Sequence, residues 1–188
     1  MNNKLRIISG RYKSRLINVP DKPNLRPSKA FIRETLFNVI DIGSCSSSLD
    51  LFSGSGILSF EALSRGIKSA TLIEKDVDLV RSIKSNMSVL NIEGASVVKS
   101  IVNKFLLSHD RATYDIIFID PPYNTPLLDE TFQLLQNKNY LENNKYLYYE
   151  KSKKDKSGYE KYFNETHDII KDLSIGDVSY TILINKNL

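Results

Sequence analysis

The run Ile116-Ile117-Phe118-Ile119 is apolar without alternation and ends abruptly at Asp120-Pro121-Pro122-Tyr123. A strand with no polar face must be covered on both sides, which is the situation of a parallel strand between two layers of helices. Consecutive prolines cannot continue the ladder, so the backbone leaves the sheet at Asp120 in a rigid, extended form. The flanking sequence supplies the layers. Strand patterns at Ser48 to Phe52, Ala70 to Ile73, Ala95 to Lys99, Tyr114 to Ile119 and Lys145 to Tyr149 are interleaved with helical ones. Those helices cover Ile57 to Arg65, closed by Gly66, then Val77, Val80, Ile83, Met87 and Leu90, then Leu127 to Leu135. Such alternation predicts a doubly wound α/β sheet with its ligand sites at the carboxyl ends of the strands. Thr166 to Lys171 and Ser179 to Asn185, joined by a turn at Ile175-Gly176-Asp177, predict a terminal antiparallel hairpin.

The amino-terminal segment is different in character. Leu5 to Ile8 and Arg15 to Val19 flank Ser9-Gly10-Arg11-Tyr12 as a hairpin, and Ser28 is placed to cap a helix through Phe31, Ile32, Leu36, Val39 and Ile40. Residues 1–33 carry nine basic residues against one acid, or +8, whereas the remainder is −4. A basic hairpin and helix over residues 1–43, attached to a mildly acidic body over 44–188, point to a polyanionic partner; a merely solvated arm is the plainer alternative. The linker Gly43 to Ser47 is too short to separate independent domains, so the arm is expected to pack on the body. Lys151 to Lys156, with four lysines, reads as a solvated loop more readily than as an RNA contact. A single cysteine, Cys45, excludes an internal disulfide, and His109 and His167 lack neighbouring ligands, so no metal site is expected. No apolar run approaches the roughly 18 residues of a membrane span, and a cytoplasmic protein is expected.

Three segments carry chemistry. In Asp50-Leu51-Phe52-Ser53-Gly54-Ser55-Gly56 the glycines allow a tight turn and close approach to a ligand at a helix N-terminus. A pyrophosphate-binding loop would have a third glycine where Ser59 stands, and Asp50 would repel a diphosphate; a ligand bearing an ammonium and a sulfonium suits it better. Glu74 closes the second body strand, where an acid can accept both hydroxyls of a ribose, while Asp76 suits the cap of the next helix. In Asp120-Pro121-Pro122-Tyr123 the Asp120 carboxylate and the Pro121 carbonyl are two acceptors for an amine with two hydrogens. Tyr123 offers a stacking surface for a base, a task that asks for the ring and not the hydroxyl.

These segments resemble the cofactor-binding and amine-target motifs of class I S-adenosylmethionine (SAM)-dependent methyltransferases. More narrowly, Arg6-Ile7-Ile8-Ser9-Gly10, Leu25-Arg26-Pro27-Ser28, Arg33-Glu34-Thr35-Leu36-Phe37-Asn38 and Glu61-Ala62-Leu63-Ser64-Arg65-Gly66 resemble the RsmD family, which methylates a guanine N2 amine in small-subunit (16S) ribosomal RNA. The resemblance implies a Rossmann-like sheet of seven strands, the last antiparallel, and a methyltransferase domain over residues 44–188. It implies SAM held by Asp50, Phe52, Ser53, Gly54, Gly56, Glu74, Lys75 and Ile101, with Asp120, Pro121 and Tyr123 as the catalytic group. It implies ribosomal RNA, within a small-subunit particle, held by Pro122, Arg11, Lys13, Arg26, Arg33 and Asn38. Ile101 departs from the family, which places a polar residue against the adenine at that point. From Lys151 onward the chain diverges too far for residues to be carried across.

Rival readings are a DNA or RNA adenine methyltransferase, a protein-glutamine methyltransferase and a non-catalytic RNA-binding protein. A DNA enzyme usually needs a larger recognition domain than this chain has room for, and the glutamine enzymes typically begin the tetrapeptide with Asn. A binding protein has no need of Asp50, Glu74 and Asp120 together.

Overall fold

The computed structural model describes residues 3–22, 29–109 and 113–188. Arg26 and the expected cap Ser28 lie outside the described residues, and the helix that follows has no side-chain bond at its N-cap, Lys29. Strands β1 (Asn3–Arg6) and β2 (Leu16–Val19) pair antiparallel, and helix α1 (Ala30–Val39) follows. The body runs β3 (Ser47–Asp50), α2 (Ile57–Ser64), β4 (Ser69–Glu74), α3 (Val77–Leu90), β5 (Ala95–Lys99), α4 (Val102–Ser108), β6 (Ile116–Ile119), α5 (Leu127–Asn137), α6 (Tyr140–Asn143), β7 (Tyr146–Ser152), β8 (His167–Ile175) and β9 (Val178–Asn185).

The seven body strands form one sheet in the order β5-β4-β3-β6-β7-β9-β8. β3 to β7 are parallel, and β9 runs antiparallel to both of its neighbours. Register sorts the side chains cleanly. Leu49, Ile117, Ile119, Leu147 and Tyr149 face α4, α5 and α6, and their core closes on Phe105, Phe132, Leu135 and Leu141. Phe118, Tyr146 and Tyr148 point the other way, against Ile32, Leu36 and Phe37 of α1 and Leu58 and Ala62 of α2. Both sides of β6 are therefore filled, as its unbroken apolar run requires. Two short helices, α4 and α6, fall where no helix is expected from the sequence; they are seven and four residues long with no side-chain caps. Among the described residues, no helix is long and apolar enough to cross a membrane.

The basic arm shares the body's core. Ile7, Tyr12, Ile17 and Val19 are buried with Phe60, Leu63, Leu72 and Ile83. β1 stops at Arg6, two residues before the expected end, because the Ile8 N–H turns away to Glu61 Oε1 at 2.7 Å. The turn then lies on α2. Arg11 N donates to the Ser64 carbonyl (2.7 Å) and Tyr12 N to Ser64 Oγ (2.9 Å). At Gly10, φ is +79°, and a Cβ there would sit 1.8 Å from the Ser64 carbonyl oxygen, so only glycine permits this approach. The segments Arg6 to Gly10 and Glu61 to Gly66 are thus two sides of one packing contact.

Candidate active site

The cleft lies at the carboxyl ends of β3, β4, β6 and β7. Beyond Asp50 the chain makes a tight loop through Gly54 (φ +51°) and Gly56 (φ +78°), tied to β4 by Ser53 N donating to the Ile73 carbonyl (3.0 Å). A Cβ at Gly56 would lie 3.2–3.4 Å from Leu72, Ile83 and Phe60, so the loop is pressed onto the core. Asp50 is 2% exposed and accepts from Ser59 Oγ at 2.9 Å. The residue that replaces a third glycine therefore holds the loop's carboxylate. Burial pushes the Asp50 carboxyl up to about 7; the Ser59 bond opposes that shift and the Glu74 charge adds to it.

Glu74 reaches across from β4. Its Oε2 accepts from Gly54 N (2.9 Å) and its Oε1 from Asp76 N (2.8 Å). An ionised carboxylate offers about four acceptor positions, so these two bonds orient it and leave capacity for a pair of hydroxyls. Asp76 caps α3 through Asp78 N and Leu79 N, and Lys22 Nζ, 2.5 Å away, holds its carboxyl below the usual range. Beside Glu74, the exposed Lys75 together with Ser100 and Ile101 lines a cavity of about 250 Å³. Ile101, 56% exposed, presents an uncovered apolar face. An oriented carboxylate next to an uncovered aliphatic wall fits a nucleoside, with its hydroxyls on one and its ring on the other. Phe52 is half-buried against the core behind the loop.

The second half of the cleft is built by β6 and β7. Asp120 is half-buried, Pro121 buried, Pro122 exposed and Tyr123 half-buried. The Tyr123 hydroxyl donates to Glu150 Oε2 (3.1 Å), and the buried Tyr148 hydroxyl donates to Glu150 Oε1 (2.5 Å). Burial, with the charges of Glu150 and Asp120, pushes the Tyr148 phenol well above its ordinary value and so keeps it a donor. Glu150 is 2% exposed, and no sequence expectation included it. Its signal is an acid directly after the apolar run Tyr146-Leu147-Tyr148-Tyr149. Between Pro121–Pro126 on one side and Glu150–Tyr159 on the other lies a cavity of about 370 Å³.

The expected RNA contacts are scattered. Lys13 and Asn38 are exposed. Arg11 is exposed but lies 3.3 Å from Glu93. Arg33 is 3% exposed, its guanidinium 3.6 Å from the fully buried Glu61, and Arg65 approaches the same carboxylate at 3.6 Å. In this structure the Arg33 charge is spent inside the protein.

Sheet order, glycine loop, Glu74 and the Asp-Pro-Pro-Tyr segment together define a class I methyltransferase fold. Residues 5–184 match the family described as conserved hypothetical protein 95. The chain is 40% identical over 154 residues to ribosomal RNA small subunit methyltransferase D of Buchnera aphidicola, covering 81% of each. It is 34% identical over 186 residues to the protein of that name from Haemophilus influenzae, covering 97% of this chain and 94% of the other. A solved Escherichia coli structure described as a methyltransferase superposes with a TM-score of 0.80 at 32% identity, over 99% of this chain and 100% of that one. The chain belongs to the RsmD family of ribosomal RNA small subunit methyltransferases.

Proposed function

We propose that this protein transfers a methyl group from SAM to the exocyclic N2 amine of a guanine in small-subunit ribosomal RNA, acting in the cytoplasm on RNA within a small-subunit particle. Family membership supports the reaction class and the ribosomal RNA substrate, and one observation supports an amine as the target. The acidic Asp120, the Pro121 carbonyl and the Tyr123 ring stand at the end of a buried strand, with Tyr123 tied from behind to Glu150.

SAM would supply an electrophilic methyl group on a sulfonium, whose methyl–sulfur bond breaks on transfer and leaves a neutral thioether. Glu74 would hold its ribose hydroxyls, Ile101 and Lys75 would flank its adenine, and the loop from Asp50 through Phe52, Ser53, Gly54 and Gly56 would face its cationic end. The chain's own task is to prepare the amine. A guanine amine is a poor nucleophile because its lone pair is delocalised into the ring. Asp120 and the Pro121 carbonyl accept its two hydrogens and favour a pyramidal nitrogen whose lone pair is free to attack. Positive charge grows on that nitrogen as the new bond forms, and the carboxylate of Asp120 stabilises it. The surplus proton leaves afterwards toward Asp120 or water, so no strong base is required. Tyr123 and Pro122 hold the base plane, and alignment of this kind can supply several kcal/mol of the barrier. A base drawn from a helix must first be extruded, whereas a loop nucleotide need not be.

The test is nucleoside mass spectrometry of free ribosomal RNA and of isolated small-subunit particles after incubation with isotopically labelled SAM. Labelled N2-methylguanosine at one site is expected, and more of it from the particle. Labelled methyladenine, or label found in DNA or protein and never in RNA, would overturn the assignment.

A further inference from the structure

The sequence from Lys151 to Lys156 reads as a solvated loop, yet in the fold Lys151, Ser152, Lys154 and Asp155 form part of the wall of the 370 Å³ cavity opposite Pro121 to Tyr123. Internal bonds hold it in shape. Asp155 N donates to the Ser152 carbonyl (2.9 Å), Ser157 N to Asp155 Oδ1 (2.8 Å), and the buried Tyr159 hydroxyl to Asp155 Oδ2 (2.7 Å). Lys151 is used in the same way, donating to the Ser157 carbonyl (2.9 Å) and lying over the Tyr159 ring. A further bond, from Lys153 N to the Asp177 carbonyl (2.8 Å), fixes the loop to the β8–β9 turn. At that turn stands Lys29, whose Nζ would be 3.5 Å from a Cβ on Gly176.

This arrangement uses up the loop's only acid, Asp155, in bonds to Tyr159 and Ser157. It leaves Lys153, Lys154 and Lys156 exposed, with no acid in ion-pair contact among the described residues. A fixed turn that presents three exposed ammonium groups, with Lys154 lining the cavity and Lys153 and Lys156 beside it in the same loop, is organised for a polyanion that enters the cavity. A nucleotide whose base rests on Tyr123 carries a phosphate on each side, and these must lie along the rim.

We infer that Lys153, Lys154 and Lys156, with Lys29 beside them, form a second RNA-contacting surface that grips the backbone phosphates flanking the target nucleotide. This rests on the RNA methyltransferase reading above. The contact is sequence-independent: it positions the strand while Asp120 and Pro121 meet the base.

The experiment compares the wild type with K153Q/K154Q/K156Q and with K153R/K154R/K156R, using an RNA oligonucleotide spanning the methylated site. The Gln variant should raise KM for RNA far more than it lowers kcat. It should also flatten the dependence of log affinity on log salt by roughly two units, since each phosphate contact on a single strand contributes about 0.7. The Arg variant should restore both, and calorimetric SAM affinity and melting temperature should match wild type in each. Unchanged RNA affinity and salt slope in the Gln variant, with wild type still methylating RNA, would overturn the loop assignment and leave the function standing. If wild type never methylates RNA, the functional reading itself fails.

Discussion

The two halves of the cleft are built in different ways. On the proposed cofactor side the carboxylates are oriented within the β3–α2–β4 unit: Asp50 by Ser59, and Glu74 by Asp76 N and, across the β3–β4 pair, by Gly54 N. On the target side the orienting contact is long-range, from Tyr123 at the end of β6 to Glu150 on β7, and it depends on two strands being correctly paired. The first half needs β3 and β4 paired. The second needs β6 and β7 paired, and its base wall has a buried anchor behind it. Affinity for SAM and competence toward the amine should therefore separate when residues are changed one at a time.

The largest effect tests that separation directly. Asp120→Ala removes the carboxylate proposed to meet the amine and leaves Asp50, Gly54, Gly56 and Glu74 in place. Loss of one preorganised electrostatic partner of a developing charge typically costs on the order of 100-fold or more in turnover. Single-turnover methylation should collapse by at least that much while calorimetric SAM affinity stays near wild type. Near-normal single-turnover rates would remove Asp120 from the mechanism; a parallel loss of SAM binding would show that the halves are not separable.

Glu74→Ala is the mirror image. Hydrogen bonds to a charged group contribute about 1.5–3 kcal/mol, so SAM affinity should fall at least roughly tenfold, with RNA affinity unchanged. Because Glu74 also accepts from Gly54 N, Glu74→Gln is the necessary companion: it keeps the shape and loses the charge. Unchanged SAM affinity in a folded Ala variant would exclude Glu74 from the ribose.

This contrast also explains what could be read from the sequence. Asp50 and Glu74 each end a strand and Gly54 and Gly56 announce the turn between them, so this part of the geometry is legible in a short window. Asp76 as a helix cap was legible for the same reason. Glu150 was not, because a single acid at the end of a strand looks the same whether it is solvated or buried under two tyrosines. Charge counting failed in a related way at Arg33. Nine basic residues over 1–33 suggest a free cationic arm, but counting cannot see that Arg33 faces Glu61, that Lys22 is committed to Asp76 and Asp78, or that Arg15 donates to the Leu90 carbonyl. In the other direction, the lysines of 151–156 looked generic because the turn that presents them is assembled with residues as distant as Asp177. Helix α4 escaped notice because seven residues without a cap carry too little periodicity.

Tyr123→Phe probes the long-range half with a smaller perturbation. Stacking alone would tolerate the change, since the ring is retained. The bond to Glu150 argues otherwise: without the hydroxyl a buried carboxylate loses a donor, a loss of about 1–3 kcal/mol. The ring also loses its tether. Turnover with RNA should fall between threefold and tenfold (roughly 1 kcal/mol), and Tyr123→Ala should fall further because stacking is lost as well. SAM affinity should not move in either. A Phe variant indistinguishable from wild type in kcat and in KM for RNA would mean that Glu150 does not orient the base wall.

The smallest effect lies on the cofactor side and is read as pH dependence. Asp50 titrates at about 7 in the folded chain against an ordinary value of 3.8, raised chiefly by burial. The folded state therefore holds this proton more tightly than the unfolded one. Between about pH 4 and pH 7 the unfolded chain ionises Asp50 before the folded chain does, so its contribution to stability declines as pH rises and levels off above 7. Asp50→Asn removes that decline, and the melting temperature of the Asn variant minus that of wild type should climb across this range. SAM reverses the balance. Its sulfonium and ammonium favour the ionised carboxylate, so in wild type its affinity should strengthen from pH 6 to pH 8, by up to about tenfold. The Asn variant should lack this component. Titration calorimetry at the two pH values decides the matter: equal pH dependence in the two proteins would mean that Asp50 braces the loop through Ser59 without sensing the cofactor's charge.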